Sequence, residues 1–283
     1  MEQRNGGVLI TGGTGFLGRA IAKALLADET ATGRVCIYSR GEHAQAAMYE
    51  ELGRHPRLRM FIGDVRDQER LCWAMRSVET VIHAAALKRI EVGDYCPEEM
   101  IKTNVIGAMN MVEAARLAGV SKVLLVSTDK AVEPISPYGQ SKALAESLFL
   151  RANDPQQGPR FAVARYGNVW GSTGSVVPTW REIIKKGRPV PVTDPAATRF
   201  FMTINGAVSL VLETAGKMTG GEIAIPTLPA YSVGDLAAAM GAEMDIRGLP
   251  AYEKMHESMV SGSNSADARR MSQEELREAL CAI

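Results

Sequence analysis

A tyrosine and a lysine lie four residues apart in the segment Tyr138-Gly139-Gln140-Ser141-Lys142. In a helix this spacing places both side chains on one face, one turn apart. A lysine ammonium beside a phenol favours the phenolate and lowers the tyrosine pKa, so we expect Tyr138 to act as a base near neutral pH. Such a pair also arises by chance, and its weight therefore depends on the segments around it.

A glycine-rich loop near the start of the chain indicates a nucleotide site. The loop runs from Thr11 to Gly18 behind a short apolar run, and it has a glycine at every third position from 12 to 18. Small residues allow a tight turn and a close approach to a pyrophosphate, which then faces the helix N-terminus. The alternative is a simple tight turn, but the strand-turn-helix context favours a dinucleotide. The predicted contacts are Gly12, Thr14, Gly15, Phe16, Leu17 and Gly18.

The ends of the next apolar runs indicate which dinucleotide binds. The second run ends in Ser39 and Arg40, where an NAD site usually has an acidic residue for the ribose 2′-hydroxyl. A guanidinium matches a phosphate, so NADP is favoured over NAD, the alternative being an ordinary exposed arginine. Asp64 and Val65 are expected to meet the adenine. The small run Ala84, Ala85 and Ala86 is expected beside the nicotinamide, although strand-end packing explains either stretch equally well.

Short apolar runs alternate with segments of helical period through the first half of the chain. This order predicts right-handed crossovers and a parallel sheet covered on both faces, that is, a Rossmann-like doubly wound α/β fold. The predicted strands are 8–10, 35–38, 58–62, 81–84, 123–126 and 161–164, and the predicted helices are 17–26, 68–75, 100–117, 138–150, 207–217, 233–240 and 272–280.

Glycines and prolines interrupt the pattern after about residue 165, which predicts a smaller substrate lobe at the carboxyl edge of the sheet. We expect an NADP-binding domain over 1–168 and a mainly substrate-binding C-terminal lobe over 169–283. The segment 204–226 is expected to return to the Rossmann sheet. Trp170 and Trp180 are expected to pack in a core rather than to stack on a base.

The composition excludes several classes of protein. The 283 residues include 32 basic and 32 acidic side chains, and 46% are hydrophobic. Balanced charge argues against nucleic-acid binding, and the apolar content argues against disorder. The four cysteines and four histidines are dispersed, which predicts neither a disulfide framework nor a metal site. With no leader and no apolar run long enough to insert into a membrane, we expect a cytoplasmic protein.

By its glycine loop and its tyrosine-lysine pair the chain resembles the extended short-chain dehydrogenase/reductases. After the fifth predicted strand, Ser127-Thr128-Asp129-Lys130-Ala131 replaces the Ser-Ser or Ser-Ala of ordinary nucleotide-sugar epimerases. This run looks like the UDP-N-acetylglucosamine 4,6-dehydratases of the polysaccharide biosynthesis protein family. Members that retain the configuration at carbon 5 tend to lack the tyrosine, so Tyr138 favours the inverting type. Other stretches that resemble that family are 38–40, 61–67, 83–88, 165–169, 171–172, 174–178, 193–195, 198–200 and 253–257.

The resemblance implies an internal redox cycle on a nucleotide sugar. Tyr138, aided by Thr128 and Lys142, would remove the proton of the 4-hydroxyl while the carbon-4 hydride passes to NADP⁺. The ketone acidifies the carbon-5 proton, which Lys130 would take if it is neutral. Asp129, if protonated, would donate to the departing 6-hydroxyl, and the hydride would return to carbon 6. A surface ion pair is the alternative for Asp129 and Lys130.

The resemblance also implies a set of substrate contacts. Arg199 would pair with the diphosphate, the alternative being a solvated charge, and Lys88 would lie near the sugar. Asn168 and the glycine- and serine-rich loop after it would offer donors to the diphosphate and sugar. The residues assigned to substrate binding are Lys88, Asn168, Ser175, Val176, Arg199 and Glu253.

The chain departs from the family pattern on the substrate side. Pro250 stands where the family has an arginine, Tyr252 where it has glycine, and Arg89 where it commonly has histidine. The resemblance therefore supports UDP-N-acetylglucosamine as the substrate less directly than it supports a dehydration reaction. A nucleotide-sugar 4- or 5-epimerase stays open as an alternative, as does a non-catalytic NADP-binding regulator. Relatives commonly self-associate, so a homo-oligomer is expected.

Overall fold

The computed structural model describes residues 6–154, 156 and 158–283. The strands are β1 (Gly7–Thr11), β2 (Val35–Ser39), β3 (Leu58–Ile62), β4 (Val78–His83), β5 (Lys122–Thr128), β6 (Arg160–Tyr166), β7 (Asn168–Val169), β8 (Val190–Val192), β9 (Thr198–Met202), β10 (Ile223–Ala224), β11 (Ala230–Ser232) and β12 (Met244–Ile246). The helices are α1 (Phe16–Ala27), α2 (Glu42–Glu51), α3 (Gln68–Ala74), α4 (Ile90–Tyr95), α5 (Pro97–Met100), α6 (Gly107–Ala118), α7 (Pro137–Ala152), α8 (Val176–Lys185), α9 (Ile204–Lys217), α10 (Val233–Ala239) and α11 (Gln273–Cys281).

Seven strands form one parallel sheet in the order β10-β6-β5-β4-β1-β2-β3. Apolar clusters cover both of its faces, which explains why its strands read as continuous apolar runs. The predicted doubly wound α/β fold is confirmed. Because β1 lies between β2 and β4, the chain order reverses at its carboxyl end, where ligands bind in such folds.

Four parts of the helical pattern differ from the prediction, and two of them are α4 and α8, which were not predicted. Helix α2 was not predicted, because Gln45 and Met48 are its buried residues and the helix carries no strong apolar face. The predicted helix 100–117 is divided among α5, a π-helical segment (Ile101–Ile106) and α6. The π-helical segment carries Asn104, whose side chain accepts from the Leu87 amide (2.8 Å) and donates to the Leu87 carbonyl (2.9 Å). The segment therefore anchors the loop that follows β4.

A second, smaller group of elements lies in the C-terminal part. Strands β11, β9 and β7 form a three-stranded sheet, and β12 pairs with β8. Trp170 and Trp180 are both buried in an apolar cluster with Tyr231, so the expectation that they pack is confirmed. The Trp170 indole N–H donates to the Ala279 carbonyl at 2.9 Å and ties α11 to this group.

The segment between β9 and β11 belongs to the large sheet. Strand β10 pairs in parallel with β6, and the apolar face of α9 packs in the cluster that contains β1 and β5 residues. Strand β6 ends at Tyr166, and β7 of the small sheet begins at Asn168. In the described part of the chain, no helix is both long enough and apolar enough to cross a membrane.

Candidate active site

The glycine loop joins β1 to α1 and leaves no room for side chains. Gly12 has φ +65°, and a Cβ on it would lie 2.9 Å from the Ala85 backbone. A Cβ on Gly18 would lie 2.5 Å from the Cα of Gly13. Helix α1 begins after Gly15 without a side-chain cap, so its first N–H groups are free to face an anion. The loop therefore fits a pyrophosphate, and Gly13, which the sequence analysis left out, is also constrained.

At the end of β2 the side chains surround one carboxylate. Arg40 is 59% exposed, and its Nη1 lies 3.8 Å from Oδ2 of Asp64. Arg66 also contacts Asp64, at 2.7 Å. Burial raises the pKa of Asp64, but the hydrogen bonds from Arg66 and the Arg40 charge outweigh it and lower that pKa. Two guanidiniums, one of them not predicted, thus lie at the end of β2, where the sequence predicts contact with the cofactor ribose.

Ser39 and Val65 have structural partners at this end of the site. The buried side chain of Gln45 donates to the Ser39 carbonyl and to its hydroxyl, each at 3.0 Å. Val65 is buried in the core, and a Cβ on Gly107 would lie 2.9 Å from it. These contacts fix the ends of β2 and β3 and so position the residues predicted to meet the adenosine.

The alanine run after β4 is held against β1. Nδ1 of His83 lies 2.7 Å from the Thr11 hydroxyl, and the Ala85 amide also contacts that hydroxyl, at 3.3 Å. Burial, together with the charge of Lys142, lowers the pKa of His83 to about 3, so the ring is neutral. The small, half-buried residues Ala84 and Ala85 therefore border the glycine loop, and Ala86 follows them, also half-buried. Their contact with a nicotinamide stays a prediction.

Helix α7 carries Tyr138 and Lys142 at its start, after the Ser136 cap. Burial raises the pKa of Tyr138 to about 12, against the charge of Lys130 and a hydrogen bond with Thr128. Lys142 instead donates to the Val126 carbonyl at 2.8 Å. The expected lowering of the tyrosine pKa by Lys142 is therefore wrong for this state, because burial dominates and Lys130 is the cation that opposes it.

The residues after β5 form a buried ionic cluster. Nζ of Lys130 lies 3.0 Å from Asp129 Oδ1, 3.0 Å from Glu257 Oε1 and 3.2 Å from Asn168 Oδ1. Asp129 is fully buried, so the alternative of a surface ion pair is excluded. Sequence reasoning missed the role of Glu257, although it belongs to the family-like stretch 253–257.

The protonation states of this cluster differ in part from the expectation. Burial raises the pKa of Asp129, as a proton donor requires. Burial lowers the pKa of Lys130, but the charges of Asp129 and Glu257 outweigh it and raise that pKa above its ordinary value. The neutral lysine that the sequence analysis required is therefore not the form that this structure favours.

A cavity of about 410 Å³ includes Lys130 and Glu257 in its wall. Five of the six residues assigned to substrate binding line it: Asn168, Ser175, Val176, Arg199 and Glu253. Within the described chain the sixth, Lys88, is exposed and does not line the cavity.

Arg199 is buried, and its guanidinium contacts two backbone carbonyls and one carboxylate. It donates to the Thr198 carbonyl at 2.7 Å and to the Met255 carbonyl at 3.2 Å, and it forms an ion pair with Glu253. The alternative of a solvated charge is excluded. To pair with a diphosphate, its guanidinium must exchange the Glu253 carboxylate for phosphate oxygens.

Two of the departures from the family pattern meet at this cavity. Arg89 precedes α4 and Tyr252 follows Pro250, and both Arg89 and Tyr252 line the cavity. The Pro250 carbonyl accepts from the Glu253 amide at 3.0 Å, which closes a turn in that wall. A guanidinium is thus present at the cavity although position 250 lacks one.

Comparison with known proteins gives consistent matches over most of the chain. A family model described as "Polysaccharide biosynthesis protein" matches residues 8–277. A UDP-N-acetylglucosamine 4,6-dehydratase (inverting) of Campylobacter jejuni is 44% identical over 263 residues, 91% of this chain and 78% of the relative. A UDP-glucose 4-epimerase of Rickettsia akari is 40% identical over 271 residues, 92% of this chain and 79% of the relative.

A solved structure is also close to this one. The X-ray structure of Pen from Bacillus thuringiensis superposes with a TM-score of 0.94 at 30% sequence identity. The match covers 100% of this chain and 98% of that one. The overall fold is therefore shared with an experimental structure.

Proposed function

Because the chain belongs to the polysaccharide biosynthesis protein family, we propose that it is a nucleotide-sugar 4,6-dehydratase that converts UDP-N-acetylglucosamine with inversion at carbon 5. The observation that supports this most is the buried cluster of Asp129, Lys130 and Glu257 beside Tyr138. Oxidation of the sugar at carbon 4 needs the tyrosine but no further acid or base. A cluster of acids and an amine next to it supplies the proton transfers by which water leaves.

The proposed cofactor is NADP. The glycine loop would hold its pyrophosphate, because the loop backbone at Gly12 and Gly18 carries no side chain and can approach the phosphates closely. A Cβ at either position would collide with neighbouring backbone. Arg40 and Arg66 bind the 2′-phosphate in place of the acidic residue typical of NAD sites. When bound, the cofactor takes a hydride from the sugar and later returns it.

Tyr138 removes the proton of the sugar 4-hydroxyl. Its phenol lies in hydrogen-bond contact with Thr128, and the positive charge of Lys130 favours the phenolate. Lys142, which is buried and bound to the Val126 carbonyl, holds the first turn of α7 against β5. These groups together position the base for carbon-4 oxidation.

Loss of water then requires one group that takes the carbon-5 proton and one that protonates the 6-hydroxyl. The carbonyl formed at carbon 4 acidifies carbon 5. In the cluster around Lys130, burial raises the pKa of Asp129, while against the effect of burial the two carboxylates raise the pKa of Lys130 and the surrounding cations lower the pKa of Glu257. The cluster therefore has both a donor and an acceptor next to the cavity.

The substrate is held by the walls of the cavity. Arg199 binds the diphosphate with a bidentate fork, while Asn168 and the loop at Ser175 and Val176 donate to the sugar and diphosphate. Glu253 is released from Arg199 and accepts from the sugar or ribose. Lys88 is exposed and lies outside the wall of this cavity, so its contact with the sugar stays a prediction.

A 4-epimerase is the second candidate, because curated relatives carry that name and Tyr138 serves both reactions. The enclosed cluster of Asp129 and Lys130 favours the dehydratase, since epimerisation at carbon 4 eliminates nothing. A non-catalytic regulator is disfavoured because Tyr138 and Lys142 are both retained.

The proposal is tested by incubating the purified protein with NADP⁺ and UDP-N-acetylglucosamine and recording the product by mass spectrometry. A dehydratase gives a product lighter by one water, whereas an epimerase leaves the mass unchanged. Lys185→Ala, which removes an exposed charge on α8, serves as the control for Lys130→Ala. An unchanged mass with native protein would contradict the proposal.

A further inference from the structure

Glu146 and Arg165 form a mostly buried ion pair that the proposed reaction does not use. Two nitrogens of the Arg165 guanidinium contact the carboxylate: Nε lies 3.0 Å from Oε1 and Nη2 lies 2.5 Å from Oε2. The side chain of Glu146 is 6% exposed and that of Arg165 is 11% exposed. A two-point contact between an arginine and a carboxylate is the strong form of a charge-assisted hydrogen bond. The pair therefore fixes both the distance and the orientation of its two side chains.

This pair attaches helix α7 to the sheet one turn after Lys142. Tyr138, Lys142 and Glu146 are spaced four residues apart, so they lie on one face of α7. Lys142 is bound to the Val126 carbonyl of β5 at 2.8 Å, and Glu146 is bound to Arg165 of the neighbouring strand β6. Two contacts on two adjacent strands fix the rotation of α7 about its own axis. The position of Tyr138 at the start of the helix depends on that rotation.

The same guanidinium also reaches the segment that carries Glu257. Nη1 of Arg165 donates to the Met259 carbonyl at 2.7 Å, two residues after Glu257. Glu257 belongs to the wall of the cavity and lies 3.0 Å from Nζ of Lys130. One arginine side chain therefore joins the helix of the proposed base to the cavity wall that the C-terminal part of the chain forms.

Glu146 also supplies a counter-charge for Lys142. Both side chains are buried, one helical turn apart. Burial lowers the pKa of Lys142 to about 8, and the negative charge of Glu146 opposes that fall. Glu146 therefore acts on the charge of the lysine as well as on the position of the helix.

The other titratable groups around α7 are neutral, paired or exposed. Burial and the Lys142 charge lower the pKa of His83, on β4, to about 3, so its ring is neutral. Asp129 and Lys130, on the turn after β5, are paired with each other. The remaining charged side chains on the elements packed against α7 are exposed or half-exposed: Glu91, Asp94, Glu98, Glu99, Lys102, Glu113, Arg116, Lys122 and Arg160.

We propose that Glu146 and Arg165 are positioning residues of the active site: Glu146 holds α7 and its lysine in place, and Arg165 joins that helix to the cavity wall at Glu257. This inference rests on the proposed dehydratase function. Within the described chain neither side chain lines the cavity. The pair therefore acts through Lys142 and Tyr138 and not by touching the sugar.

The first test follows the proton of Lys142 and needs no substrate. Protein carrying ¹³C at the lysine Cε atoms is titrated by NMR, and the Lys142 signal is identified by its absence in Lys142→Met. Glu146→Gln removes the negative charge and keeps the size of the side chain, so we expect the Lys142 midpoint to fall below its native value of about 8. Glu213→Gln, which removes an exposed carboxylate paired with Lys217 on α9, should leave that midpoint unchanged. An unchanged midpoint in folded Glu146→Gln would overturn the inference.

The second test measures dehydration of UDP-N-acetylglucosamine in the presence of NADP⁺. We expect Glu146→Gln to lower kcat by roughly 10- to 100-fold, the loss that a small displacement of a catalytic group causes, and to leave KM near its native value. A raised KM with native kcat would contradict the inference, since it would place the effect on substrate binding. Glu146→Asp keeps the charge, should regain part of kcat, and replaces the glutamine variant if that one does not fold. A lowered Lys142 midpoint in Glu146→Asp would contradict the role of the charge.

A double variant separates positioning from stability. Glu146→Met combined with Arg165→Met replaces the ion pair by apolar side chains, an exchange that is often neutral or stabilising for a fold. We expect this protein to unfold near the temperature of the native protein and to keep the low kcat and the lowered Lys142 midpoint. Native kcat in the double variant would show that the pair only stabilises the fold, and it would overturn the inference. Native protein that releases no dehydrated sugar refutes the proposed function instead, while the lysine titration still tests the pair.

Discussion

The ammonium of Lys142 lies 2.8 Å from the carbonyl oxygen of Val126, so the lysine of α7 is bound to the neighbouring strand β5. Burial lowers its pKa to about 8, against the charge of Glu146. The side chain therefore gains or loses its proton near pH 8, while its position is set by a backbone atom.

This lowered pKa predicts a pH dependence of stability. In the unfolded chain the Lys142 pKa is 10.5, so between about pH 8 and pH 10.5 the unfolded state binds more protons and stability rises with pH. We expect this group to contribute up to about 3 kcal/mol across that window. Urea unfolding of Lys142→Met over the same pH range should lack this rise, and an equal rise in the variant would argue against the assignment.

Gly12 and Gly119 offer a matched test of the glycine loop. Both have φ near +65° to +69°, but a Cβ on Gly119 meets nothing within 4 Å, while one on Gly12 meets the Ala85 backbone at 2.9 Å. Gly119→Ala should cost about 1 kcal/mol of unfolding free energy from its backbone conformation alone. Gly12→Ala should cost more and should abolish cofactor binding, measured by fluorescence titration. Normal cofactor binding by Gly12→Ala would show that the pyrophosphate binds elsewhere.

Arg40 should decide between the two dinucleotides. Its guanidinium is exposed near Asp64, and a charge-assisted contact to a 2′-phosphate contributes about 1.5–3 kcal/mol. We expect Arg40→Ala to weaken NADP binding by roughly 10- to 100-fold and to leave NAD binding nearly unchanged. Arg54→Ala, which removes an exposed ion pair with Glu50 on α2, is the control. Equal binding of NADP by native protein and Arg40→Ala would exclude the predicted role.

Variants of Tyr138 and Lys130 should distinguish carbon-4 oxidation from the later loss of water. Because Tyr138 is the base for carbon-4 oxidation, Tyr138→Phe should suppress both cofactor reduction and water loss. Lys130→Ala should abolish water loss and leave slow hydride exchange at carbon 4. Both steps are followed in one assay by absorbance of the reduced cofactor and by product mass. Full dehydration by Lys130→Ala would remove this lysine from the mechanism.

The sequence was sufficient for the large sheet and for the nucleotide loop, because both depend on local patterns. Strands buried on both faces produce apolar runs such as that of β1, and Gly12 is required by its own backbone conformation. Helix α2 lacks such a local pattern and was missed, because its mostly exposed residues carry no strong helical period. A strand or helix is predicted correctly from sequence where its own buried residues form a clear apolar pattern.

The protonation state of the site could not be predicted in this way. Lys130 and Asp129 are adjacent in sequence, but Glu257 reaches them from 127 residues further along the chain. Its charge raises the pKa of both, and it thereby reverses the expected neutral state of the lysine. Arg199 likewise received a ligand role from its sequence context, whereas its contacts with Glu253 and the Met255 carbonyl appeared only in the structure.

In the proposed reaction one hydride moves from carbon 4 to carbon 6 within a single cavity. This transfer is measured with UDP-N-acetylglucosamine carrying deuterium at carbon 4, a catalytic amount of NADP⁺ and NMR of the product. The expected product is a 4-keto-6-deoxy sugar whose carbon-6 methyl group carries the deuterium. Deuterium that stays at carbon 4 of an epimer, or is lost to free reduced cofactor, would contradict it.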